Sequence, residues 1–103
     1  MKYQLVLQFR GDSLRDYDAM VALEDDLIAA LANSANVDGH DVGSGEVNIF
    51  IFTDEPKKTF QQVRLVLEQR GGLDSVSAAY RLADGEDYTR IWPEHSQQQF
   101  RIA

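Results

Sequence analysis

The segment Glu46-Val47-Asn48-Ile49-Phe50-Ile51-Phe52-Thr53 constrains the fold more than any other stretch of this chain. In an extended chain, Val47, Ile49 and Ile51 lie on one side, and Glu46, Asn48, Phe50 and Phe52 on the other. Both sides carry large apolar groups, so the strand needs cover on both faces and belongs inside a sheet. It follows Gly43-Ser44-Gly45, a tight connection in which glycine takes positive φ without steric cost. Val37 to Val42, just before that turn, reads as a strand rich in polar side chains. One of the two histidines (His40), three carboxylates (Asp38, Asp41, Glu46) and an amide (Asn48) therefore fall within eleven residues bordering the core.

The other elements follow from periodicity. Tyr3, Leu5, Leu7 and Phe9 alternate with Gln4, Val6 and Gln8, the pattern of a half-buried strand. Arg10-Gly11-Asp12 reads as the turn that breaks it. Ser13 and Asp16 approximate a capping box, and a helix is expected from about Leu14 to Leu31 or Ala32. Its apolar stripe is Tyr17, Met20, Val21, Leu27, Ile28 and Leu31. Thr53 or Asp54 is expected to cap a second helix, with Pro56 tolerated in its first turn. Phe60, Val63 and Leu67 give its stripe, and Gly71-Gly72 its end. Ser75 to Leu82 alternates again, and Tyr88 to Trp92 reads as a short extra strand stopped by Pro93.

The order strand, helix, strand, strand, helix, strand is that of a ferredoxin-like α+β fold. Right-handed crossovers put both helices on one face of a four-stranded antiparallel sheet, in the order four, one, three, two. A short C-terminal strand or extension is added to it. Residues 1–103 read as a single domain, with 94–103 as a loosely ordered tail unless Phe100 and Ile102 pin it down.

Composition narrows the function. The 44% apolar content, with five Phe, four Tyr and one Trp, supports a real core. No cysteine is present, which removes disulfides, thiolate metal sites and cysteine nucleophiles. Apolar runs such as Ile49 to Phe52 are far too short for a bilayer span or a signal peptide, so the expectation is a cytoplasmic protein. Ten basic and 17 acidic residues give a formal charge of −7. Such a field repels a phosphate backbone and suits a basic protein partner, or simple solubility. The basic residues are scattered, so nucleic acid is not an expected partner.

Five residues stand out as tentative ligand-binding groups: Glu24, His40, Asp41, Glu46 and Asn48. Glu24 falls about 20° from Tyr17 around the first helix, inside the apolar stripe. A carboxylate aimed at a sheet must be bonded, paired or protonated. It either finds a core partner or reaches round the helix edge, or it is an acid held beside a cleft. His40 is a general base or metal ligand on one reading and a locally bonded edge-strand histidine on the other. In a regular strand it shares a face with Asp38. Asn48 either pairs with Gln4 or Gln8 or faces a ligand on the open sheet face. Gly43-Ser44-Gly45-Glu46 lacks the following helix of an anion cradle or nucleophile elbow, so Ser44 reads as a turn residue. Trp92-Pro93 with Tyr88 is either a binding hot spot or a lid on the core edge. No metal site, cofactor or catalytic motif emerges.

The stretch from Asp38 to Ile51, with Ala22-Leu23-Glu24-Asp25 upstream and Tyr88 to Pro93 downstream, resembles a group of small bacterial proteins of unassigned function. The likeness covers most of the chain and implies no activity or site residue. The reading that results is a binding or regulatory module rather than an enzyme, homodimeric through its open sheet face. Two alternatives stay beside it: an immunity-type inhibitor of a basic toxin, and a small-molecule sensor or minor enzyme using Glu24 or His40.

Overall fold

The structure, a computed structural model, describes residues 1–10, 17–43, 45–94 and 99–102. The Gly11-Asp12 turn, the Ser13–Asp16 capping box, the helix start at Leu14 and the turn residue Ser44 lie outside the described residues.

The elements run β1 (Tyr3–Arg10), α1 (Tyr17–Leu31), β2 (Asn36–Gly43), β3 (Glu46–Thr53), α2 (Pro56–Arg70), β4 (Val76–Leu82) and β5 (Thr89–Trp92), with a short 3-10 turn at Leu73–Ser75. The fold is α+β. The sheet has five strands, not four, in the order β2-β3-β1-β4-β5. All pairings are antiparallel. The extra strand extends the sheet beyond β4, which is where the Asp84-Gly85 turn returns the chain.

Both helices pack on one face. Met20, Leu23, Leu27 and Leu31 of α1 and Phe60, Val63 and Leu67 of α2 form one core with Leu5, Leu7, Phe9, Val47, Ile49, Ile51, Val76 and Ala78. α2 buries the stripe that its spacing predicts, whereas α1 buries Met20, Leu27 and Leu31 of its expected stripe together with Leu23, and leaves Val21 half-buried and Ile28 exposed. Trp92, at the end of β5, closes one edge of this core. It packs against Phe60, donates its indole N–H to the Leu73 carbonyl and lies under the Arg64 guanidinium. Tyr88 belongs elsewhere: it packs on Phe100 across the reverse face, so the expected Tyr88–Trp92 cluster does not form.

The expected caps of α2 are also corrected. Its N-cap is Glu55, without a side-chain cap. Asp54 instead accepts from the Lys2 backbone N–H at 2.9 Å. Thr53 is buried and spends its hydroxyl on the Glu55 N–H (3.0 Å) and on the Thr59 hydroxyl (2.6 Å). The helix ends as expected, with Gly71 in the left-handed region at φ 79°, where a side chain would be strained.

The reverse face is not left open. Phe100 and Ile102 of the tail lie on Val6, Ala79 and Phe50, and the Gln8 amide donates to the Arg101 carbonyl at 2.7 Å. Phe100 is 6% exposed and Val6 is sealed. The two aromatics of β3 thus need partners on that face, and the C-terminal segment supplies them to Phe50.

Candidate functional site

Glu24 and His40 meet. Oε1 of Glu24 lies 2.9 Å from Nδ1 of His40, with their side chains 13% and 27% exposed. Each residue gets there for a local reason. Glu24 lies about 40° round α1 from Met20, on the shoulder of the buried stripe. That shoulder faces the sheet edge, so the carboxylate needs a donor. His40 faces the helices because β2 carries a bulge: Val37 stands opposite Ile51 and Gly39 opposite Phe50, leaving Asp38 as the extra residue. The expected sharing of a face by Asp38 and His40 assumes a regular strand, and the bulge removes that assumption. His40 stands opposite Ile49 and so shares its face.

The remaining candidates lie on the other side of the sheet. Asp41 stands opposite Asn48, and Asn48 opposite Gln8. The Gln8 amide lies 3.1 Å from the Asn48 carbonyl oxygen and 3.2 Å from Glu46 Oε1, and the Asn48 amide donates to the same Glu46 oxygen at 3.2 Å. Asn48 therefore pairs with Gln8, one of the two glutamines expected. Among the described residues Gln4 does not join them, and its buried Oε1 has no hydrogen-bond partner. The five candidates thus form two groups separated by the sheet: Glu24–His40 under α1, and Asp41, Glu46 and Asn48 on the reverse face. A pocket shared by Glu24, His40 and Asn48 is ruled out by that separation.

Chemically, a carboxylate accepting from Nδ1–H fixes the neutral ring so that Nε2 is the acceptor. This is half of an acid–base device. The reverse-face group is a network of amides around one carboxylate, the arrangement that satisfies polar atoms beneath a covering segment. Among the described residues no group of three or more His, Asp or Glu side chains converges in a way that would hold a metal ion. Neither group lines the hollow of about 350 Å³ beside the first turn of α2, which is walled by Tyr3, Tyr80, Pro56, Lys57 and Lys58.

A different feature emerges when charge is placed on the fold. Residues 17–56 contain nine of the 17 acidic residues and none of the ten basic ones, so the rest of the chain carries eight acids against ten bases. In space, α1 and β2 are neighbours, tied by Glu24–His40. Asp18, Asp25, Asp26, Asp38 and Asp41 are all exposed along this flank. Arg70 of α2 reaches Asp26, and Arg10 stands opposite Glu46. A net charge averaged over the chain hides this asymmetry; a running count of charge along it is the signal that finds it.

No protein-family model matches the chain, and no curated protein sequence matches it. No helix among the described residues is long and apolar enough to cross a membrane.

Proposed function

We propose that this protein is a binding module that engages a basic protein through the flank formed by α1 and β2. The observation that supports it is the segregation of charge, with six acids and neither Lys nor Arg over α1 and β2. A one-sign surface attracts a partner of opposite sign and speeds encounter, and it repels copies of itself. An immunity-type inhibitor that covers a basic toxin in the cytoplasm is the sharpest form of this reading. We assign the topology to the ferredoxin-like class, with β5 as an added edge strand, and the chain to the group of small bacterial proteins that its Asp38–Ile51 segment resembles.

The homodimer is moved off the sheet face. With Phe100 and Ile102 seated on that face, a second copy finds part of it already covered. Sedimentation at rising concentration tests for self-association by whatever surface remains.

Carbodiimide cross-linking in whole-cell extract, at low and at high salt, tests the main reading. Cross-links from Asp18, Asp25, Asp38 or Asp41 to lysines of one basic protein, lost at high salt, are expected. Cross-links confined to carboxylates of residues 68–94 would refute it. A second reading, a small-molecule sensor or minor enzyme, is favoured by the Glu24–His40 pair alone. It predicts that an added metabolite raises the melting temperature of the native protein but not of Glu24→Gln.

A further inference from the structure

We propose that the outer edge of β2 takes up an extended segment of the basic partner as an added strand, with aliphatic residues on one side of that segment and Lys or Arg on the other. This rests on the partner reading above and specifies how the partner is held.

The sheet begins at β2, and among the described residues no strand pairs with its outer side. β2 is eight residues long, against four for β5 at the opposite edge. Every second residue of an edge strand turns its backbone N–H and C=O outward, so the edge offers a ladder to a further strand. All of β2 except Val37 and Gly39 is exposed.

The side chains flanking this edge define what would fit. On the helix side, Val42 is 59% exposed and Ile28 of α1 is 53% exposed. Ile28 lies one turn beyond Glu24, on the same shoulder of α1. Since Glu24 meets His40, Ile28 overlooks the first half of β2, where Val37 is half-buried. Two large aliphatic side chains thus remain in water beside the edge strand, and side chains on one face of an added strand would cover them. On the reverse side, Gly39, Asp41 and Gly43 follow one another along the face. The glycines present no side chain, so a long side chain of the added strand can run past them to the Asp41 carboxylate. Lys or Arg satisfies that contact and the field of the flank. Backbone bonds then hold the segment while the alternate side chains select it.

A second copy of this chain is the poorer occupant. Pairing two β2 edges would bring Asp38 and Asp41 of one copy beside those of the other, and like charges across strands are unfavourable. The bulge at Asp38 interrupts a regular ladder as well. A flexible basic segment can adjust its own register around that bulge, whereas a second folded edge cannot.

The test uses the full-length ¹⁵N-labelled protein and three end-capped probes: an alternating Lys–Val peptide, an alternating Glu–Val peptide, and the Lys–Val peptide with its backbone N-methylated throughout. The Lys–Val peptide is expected to shift the β2 amide signals and slow their hydrogen exchange, with affinity falling several-fold as salt is raised. The other two peptides are expected to leave β2 unchanged. Asp38→Asn with Asp41→Asn should weaken the Lys–Val peptide several-fold while the remaining amide spectrum stays native. Equal binding by the N-methylated peptide, or shifts at the flank without slower exchange in β2, would overturn strand addition and leave the acidic-flank reading standing. Equal binding by Glu–Val would overturn the basic character of the segment. Absence of binding by all three overturns the added strand, and the cross-linking experiment then decides the partner reading separately. Slower β2 exchange at high protein concentration without peptide would replace the partner by a second copy.

Discussion

At the scale of single residues, the most informative atom is Gln4 Oε1, buried without a hydrogen-bond partner among the described residues, in a residue only 9% exposed. A buried acceptor left unpaired costs about 1–3 kcal/mol. Gln4→Leu should therefore raise stability by about 1 kcal/mol in urea unfolding; a clear loss would mean that the amide pairs in solution. The opposite sign is expected at Thr53, whose hydroxyl joins Thr59 and the Glu55 N–H. Thr53→Val should cost about 1–2 kcal/mol, because the buried Thr59 hydroxyl loses its partner. Adding Thr59→Val should cost less than a second independent loss, since both ends of that bond are then gone; a double-mutant cycle measures the difference. Glu24 and His40 show what was hidden at this scale. The helical spacing placed Glu24 on the sheet side. The partner is out of reach of any such rule, because it sits in another element and faces the helices only through a bulge.

At the scale of elements, the C-terminal segment is the piece that the linear pattern describes least. Three glutamines followed by Phe100 and Ile102 are equally compatible with a frayed end and a docked one, and docking depends on Val6, Phe50 and Ala79, which lie far away in the chain. Phe100→Ala should cost about 3 kcal/mol and expose the reverse face to a hydrophobic dye. A loss below about 0.5 kcal/mol, the usual ceiling for surface sites, would mean that the segment does not hold there in solution. By contrast, β3 is legible to the residue. Glycines mark its start, and its two apolar sides leave a central position as the only one that covers both. The helix α2 is legible for similar reasons, with Pro56 at its start and Gly71 at its end. Gly71→Ala should cost about 1 kcal/mol through φ strain alone, because a Cβ there meets no neighbouring atom within 4 Å.

For the whole molecule, repulsion within the acidic flank competes with a few surface ion pairs: Arg64–Glu68, Lys58–Glu55 and Arg70–Asp26. Exposed pairs of this kind contribute about 0–1 kcal/mol each and are screened by salt. The six acids of α1 and β2 repel one another through the same screened field. We expect the repulsion to dominate, so that moderate salt raises the urea midpoint of the free protein. A fall in the midpoint would give the larger role to the pairs. The position of Trp92 has a practical consequence. It is the chain's single tryptophan, held between Phe60 and the Arg64 cation where β5 closes the core. Its fluorescence is therefore an intrinsic optical probe of one corner of the molecule. A red shift that precedes the loss of helical circular dichroism would record β5 peeling away while the remainder of the domain is still folded.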